Sequence, residues 1–155
     1  MRRFNIFSGD TESDDTDPEG YRAGMARFGP QLGATKSGAS LYELPTGQSI
    51  CPYHYEYGEE EWLIVLEGRP VVRHPGGEDE LEPGDTVCFP EGPDGAHKVT
   101  NRTDDRVRVL MFSTVNRPAV AVYPDSDKFG VFTGNERDRL FARRESDVDY
   151  YDREP

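Results

Sequence analysis

The chain has 155 residues, 30 of them Asp or Glu and 18 Lys or Arg, for a net charge of −12. That length supports one hydrophobic core with decorated ends, and that charge repels phosphate backbones and anionic lipid surfaces, so neither nucleic acid nor membrane is an expected partner. No run approaches the roughly 18 apolar residues of a membrane span, and Met1–Asp10 lacks a signal peptide's apolar stretch, so a cytoplasmic protein is expected.

Lys36, Lys98 and Lys128 are the only lysines. An acidic, Lys-poor composition suits a salt-rich cytosol, although a G+C-rich genome gives the same bias. Cys51 and Cys88 belong to no CxxC pair and are too few for a disulfide framework, so both are expected to be free thiols.

In chain order, Phe4–Phe7 reads as a short edge strand. Gly9–Gly20 carries six acids and turn formers, and reads as a solvated loop or arm. From Ser40 the chain becomes a series of short β-rich runs: Leu41–Leu44, Cys51–Tyr57, Glu61–Glu67, Pro70–His74, Glu80–Leu81, Thr86–Phe89, His97–Asn101 and Val107–Thr114. Gly, Pro and Asp punctuate them, which predicts an all-β sandwich or barrel. Beyond Val115 the pattern weakens. Tyr123–Asp127 is turn chemistry, Glu136–Arg144 reads as one short charged helix, and Asp147–Pro155 is an acidic, Tyr-bearing tail. The expected organisation is an N-terminal arm (1–39), a barrel core (40–115) and a C-terminal extension packed on the barrel (116–155).

Alternation along a strand puts His54 and Glu56 on one face and Tyr53, Tyr55 and Tyr57 on the other. Within Glu61–Glu67, Leu63 and Val65 share the face of Glu61, while Trp62, Ile64 and Leu66 form an apolar opposite face that something must cover: another sheet, the tail or a second subunit. A closed two-fold homodimer is expected on this ground.

Two stretches belong together: His54-x-Glu56-x4-Glu61-x6-Gly68 and Gly84-x5-Pro90-x-Gly92-x4-His97-x3-Asn101. A lone His among polar residues is more often solvated or packed, and Glu59-Glu60-Glu61 alone is an ordinary soluble turn. The joint spacing raises both above that. It resembles the paired motifs of the cupin superfamily over roughly residues 45 to 113, with the short intermotif linker Arg69–Pro83. YPDSDK and DVDYYD in the C-terminal segment are similar to a small group of single-domain conserved-barrel cupins. The resemblance implies an all-β double-stranded β-helix, or jelly-roll, barrel with N- and C-terminal extensions. It further implies a metal held by His54, Glu56, Glu61 and His97, with Asn101 a structural residue near a strand end. His74 lies outside both motifs and reads as a hairpin histidine.

The sequence departs from the family pattern at Glu56, where a second His is common. Two carboxylates neutralise a divalent ion and favour Mn²⁺ or Fe²⁺, with Zn²⁺ or Ni²⁺ also accommodated. With Glu56 swung away, His54, Glu61 and His97 form a two-His, one-carboxylate triad suited to iron and dioxygen. Without metal, Glu56 and Glu61 repel and share a proton. The resemblance implies an enzyme acting on a small polar molecule, either as a sugar isomerase or as an oxygenase, and the alternative is a barrel that binds or senses a small ligand without turnover. No separate base is identifiable, and Tyr42, Tyr53, Tyr55 and His74 qualify only if they reach the cavity.

Overall fold

A computed structural model describes residues 1–155. Its strands, in chain order, are β1 (Gly24–Arg27), β2 (Ser37–Leu44), β3 (Tyr55–Tyr57), β4 (Glu61–Glu67), β5 (Val71–His74), β6 (Gly77–Glu80), β7 (Thr86–Phe89), β8 (Lys98–Thr100), β9 (Val107–Thr114), β10 (Ala119–Tyr123), β11 (Lys128–Phe132) and β12 (Leu140–Arg143). A single helical turn, α1 (Gly29–Leu32), joins β1 to β2. The strands form three sheets in the orders β1-β2-β9-β4-β7, β12-β11-β10-β3 and β6-β5-β8, with every pairing antiparallel. This is the all-β barrel that the short, punctuated strands predict. No helix is long and apolar enough to cross a membrane.

The alternation in β4 decides where the core sits. Leu63 lies opposite Met111 of β9 and Val87 of β7, and Val65 lies opposite Val109. Leu63 and Val65 are buried with Leu44, Val72, Phe89, Val99 and Val107 inside the barrel. Burying each such side chain contributes about 1.5–3 kcal/mol. On the other face Ile64 and Leu66 pack against Phe28, Ala39, Leu41 and Leu110, with Phe4 and Ile6 of the N-terminal arm laid over them.

The arm covers that face without becoming a strand, so the edge strand expected at Phe4–Phe7 is not formed. The Asn5 side chain accepts from the Phe7 and Ser8 backbone N–H groups at 2.9 and 3.2 Å, and the Gly9 N–H donates to the Asn5 carbonyl. This local turn competes with an extended chain. It also presents Phe4, which stacks on Phe28 at 4.5 Å.

Two motif residues act structurally. Gly68 has φ +77°, and a Cβ there would lie 2.5 Å from the Arg106 carbonyl, so the turn after β4 requires glycine. Fully buried Asn101 donates to the Leu44 and Asp105 carbonyls at 2.9 and 2.8 Å and accepts from the Thr103 N–H and hydroxyl. Its whole hydrogen-bonding capacity is satisfied, and it ties the end of β8 to the end of β2.

Beyond β9 the chain returns to the barrel. β10 pairs with β3 on one side and β11 on the other, burying Ala119, Ala121 and Val122. The helix expected over Glu136–Arg144 is instead a short 3-10 turn, Glu136–Asp138, followed by β12 paired to β11. So short a segment gains little as an isolated helix, whereas the edge of β11 offers a full row of backbone partners.

Candidate metal centre

The two motifs meet through the backbone. The His54 N–H donates to the His97 carbonyl at 3.1 Å, and the His97 N–H returns a bond to the His54 carbonyl at 2.8 Å. This two-residue bridge sets the imidazoles side by side, 4.7 Å between ring centroids. The loop before His97 is tight, since a Cβ on Gly95 would run into the Pro90 backbone. Phe89 stacks on the His97 ring at 3.7 Å and 8°, and Tyr123 of β10 flanks His54 at 5.8 Å.

Each ring is oriented by a carbonyl. His54 Nδ1 lies 3.1 Å from the Pro52 oxygen, and His97 Nδ1 lies 2.9 Å from the Gly95 oxygen. A carbonyl only accepts, so each Nδ1 carries the proton and each Nε2 keeps a bare lone pair. Both Nε2 atoms face Glu61 Oε2, at 3.8 Å from His54 and 3.3 Å from His97. Glu61 Oε2 is buried and has no hydrogen-bond partner. Three acceptors converging without a donor is the arrangement a cation resolves, and carbonyl-anchored imidazoles are the usual outer support of a metal ligand. The donor atoms of His54, Glu61 and His97 all lie within 4.8 Å of one another, so the group could hold a metal ion.

Burial sets the protonation. It pushes His97 down to about 3, helped by neighbouring His54, and lowers His54 as well, so both rings stay neutral and ligand-competent. It pushes Glu61 up to about 7, with Glu59 adding repulsion. Glu56 rises to about 8 through burial first and then the charges of Glu61 and Glu59.

Glu56 lines the same cavity but stands outside the three-residue cluster. Its Oε2 is also buried without a hydrogen-bond partner. The cavity holds about 290 Å³ above the cluster and is walled by Tyr42, Ile50, Cys51 and Met111, with Arg27 at its edge. Burial and the charges of Glu61 and Glu56 push the Cys51 thiol upward, so it stays protonated. Both cysteines are free. Of the four side chains considered as bases, Tyr42 reaches the cavity. Tyr53 lies under the Arg73 guanidinium, Tyr55 packs edge-on against Tyr57, and His74 pairs with Asp79 at 3.0 Å on the β5–β6 hairpin.

Arg27 and Tyr123 border the site unforeseen. The short apolar run Ala119-Val120-Ala121-Val122-Tyr123, bounded by Pro118 and Pro124, is itself a strand signal that would have brought Tyr123 toward the barrel. Arg27 carries no motif signal, and only the pairing of β1 to β2 places it.

The sequence from residue 40 to residue 113 matches the family model described as a cupin domain. Over those residues the chain resembles a cupin domain. Among solved structures, the fold is similar to a cupin-superfamily sugar phosphate isomerase from Silicibacter pomeroyi, at TM-score 0.81 and 24% identity over 97% of this chain and 98% of the other. It is also similar to a candidate sugar phosphate isomerase from Acidithiobacillus ferrooxidans, at TM-score 0.76 and 22% identity over 84% and 81% of the two chains. The polyketide cyclase RemF from Streptomyces resistomycificus follows, at TM-score 0.61 and 21% identity over 76% and 82%. At these identities the likeness is one of cupin fold. No curated protein matches the sequence.

Proposed function

We propose that this cupin is a metal-dependent isomerase of a small hydroxy-carbonyl compound of the sugar or sugar-phosphate class. The observation that carries the reading is the convergence of two carbonyl-anchored imidazole Nε2 atoms on the unpartnered Oε2 of Glu61, at the floor of a sugar-sized cavity. His54, Glu61 and His97 would hold the ion, with Mn²⁺ or Fe²⁺ favoured by the carboxylate and Zn²⁺ or Ni²⁺ accommodated by the imidazoles. Once bound, the ion supplies Lewis-acid polarisation of adjacent substrate oxygens.

The chain's own groups account for the proton traffic. Isomerisation takes a proton from the hydroxyl-bearing carbon and delivers one to the neighbouring carbonyl carbon, while a hydroxyl proton passes to the carbonyl oxygen. Glu56, held near neutrality by burial and by Glu61, is suited to both the taking and the giving. Burial pushes the Tyr42 hydroxyl upward, so it remains a donor for a substrate oxygen. Ile50 and Met111 give this cavity an apolar wall. The Silicibacter pomeroyi structure, described as a sugar phosphate isomerase, supports the substrate class.

The His-Glu-His cluster with Glu56 outside it also favours a second reading, an iron oxygenase. The test is incubation of Mn²⁺- and Fe²⁺-loaded protein with aldoses, ketoses and their phosphates in deuterated water. Proton NMR should show interconversion with deuterium entering at the exchanged carbon, and Glu56→Gln should slow it by about 10²–10⁴-fold while retaining metal. Dioxygen consumption without isomerisation would replace the first reading by the second, and stoichiometric metal with neither activity would leave a non-catalytic binding module.

A further inference from the structure

Beside the metal cavity lies a second concavity of about 330 Å³, whose wall includes Arg27, Arg117, Thr35 and Ser37 and contains no carboxylate. That is an unusual patch on a chain with 30 acidic and 18 basic residues. Nine of the 15 arginines have a carboxylate oxygen within 4.0 Å, and Arg27 and Arg117 are among the six that do not. Glu56, Glu59 and Glu136 line a groove that includes the same two arginines, whose charges act on Glu59, and none of the three lines this concavity.

The two guanidinium groups are positioned by the fold. Arg27 ends β1, whose register sets it opposite Ser40 of β2. Arg117 lies under the turn at Gly134, where φ is +91° and an added Cβ would meet Arg117 Nη1 first and Cδ at 2.6 Å, so the turn closes on the guanidinium as well as on its stem. Arg27 and Gly38 line both this concavity and the metal cavity, so the two spaces adjoin at those residues.

Two guanidinium forks with two hydroxyls form a donor set for a compact, doubly charged oxyanion. We propose that Arg27 and Arg117, with Thr35 and Ser37, hold the phosphate of a phosphate-monoester substrate whose reacting end lies over His54, Glu61 and His97. The placement of the reacting end rests on the isomerase reading, whereas capture of the anion does not. The subsite narrows the substrate class from sugars at large to their phosphates.

The test has two arms. In the first, inorganic phosphate and glycerol phosphate are titrated by ³¹P NMR into the wild type, Arg27→Gln, Arg27→Gln/Arg117→Gln and His97→Ala, each checked for folding by circular dichroism. Both probes should bind the wild type and His97→Ala alike, weaken in the single variant, and weaken by at least about tenfold in the double variant. Binding lost in His97→Ala but kept in the double variant would put the phosphate at the metal centre and overturn the subsite. Binding of inorganic phosphate but not of the ester would remove its role in substrate recognition.

In the second arm, KM for a sugar phosphate should rise at least about tenfold in Arg27→Gln/Arg117→Gln with little change in kcat. Equal KM values in wild type and variant would overturn the proposal. A wild type that binds both phosphates through the arginines and isomerises nothing would sink the isomerase reading and leave the anion subsite standing.

Discussion

Glu56 and Glu61 sit on the same inner surface, yet their carboxylates meet different neighbours. Glu61 faces two imidazole lone pairs, while Glu56 stands apart with an unpartnered oxygen between the metal cavity and the arginine-lined groove. The difference separates their variants. Glu56→Gln should keep metal occupancy and lower kcat by about 10²–10⁴-fold, the range of a removed acid–base group. Glu56→His should leave metal preference unchanged, because residue 56 stands outside the three-ligand cluster, whereas a shift toward Zn²⁺, Ni²⁺ or Cu²⁺ would bring it into the donor set. Competitive loading with an equimolar mixture of Mn²⁺, Fe²⁺ and Zn²⁺ reads this out, and an unchanged profile would place residue 56 outside the ion's reach.

The same two carboxylates give the metal-free protein a pH signature. Their folded pKa values are raised, to about 8 for Glu56 and about 7 for Glu61, both chiefly through burial. The folded state therefore retains protons that the unfolded chain has already released. Their contribution to stability is present below the ordinary glutamate pKa and is lost as pH rises through 7 to 8. The slope is about 1.4 kcal/mol per pH unit for each proton held by the folded form alone. His97 works in the opposite sense, since its depressed value costs stability as pH falls below the ordinary histidine range. Between pH ~6 and ~8 the carboxylates dominate. Chelator-treated protein should melt at a lower temperature toward the alkaline end of that window, and added Mn²⁺ should raise Tm more there. A Tm gain from Mn²⁺ that is independent of pH would contradict this.

At the scale of elements, the strands of the barrel core were legible because alternation and turn chemistry agree there. β4 is the clearest case, with Leu63 and Val65 inside the barrel and Ile64 and Leu66 outside it. Leu63 is fully buried, so Leu63→Ala should cost about 2–5 kcal/mol in urea unfolding, with no change in m-value. A cost below about 1 kcal/mol would mean that the site collapses on the smaller side chain.

The extensions were harder to read. β12 pairs through backbone groups, so its sequence, Leu-Phe-Ala-Arg, need carry no strand alternation. The N-terminal arm anchors through Phe4 stacked on Phe28 and Ile6 packed beside it, contacts with no periodicity to detect. The His54–Glu61–His97 group was readable from spacing, because the antiparallel bridge between motifs and the alternation of β4 fix it. The position of Glu56 relative to that group was not, since alternation gives the face of a side chain but not the reach of its carboxylate. Arg27 depended on a strand pairing outside both motifs.

For the whole molecule, the N-terminal arm supplies part of the cover that the apolar outer face of β4 calls for, which leaves less for a partner to do. Trp62 and Phe112, paired across β4 and β9, remain exposed at 43% and 38% beside that cover. The homodimer expected from the sequence is a proposal that these two residues now localise. Trp62→Arg should convert a dimer to a monomer in light scattering at micromolar concentration, with the fold retained, and a monomeric wild type would remove the dimer from the account.

The central claim is that His54, Glu61 and His97 hold one divalent ion. Elemental analysis of protein purified without an affinity tag, from cells grown with added manganese and iron, tests it most directly, comparing the wild type with His97→Ala and His74→Ala. About one Mn or Fe per chain is expected in the wild type and in His74→Ala, with a fall of at least about tenfold in His97→Ala. Equal metal in all three proteins, or a wild type that stays metal-free under these conditions, would contradict it.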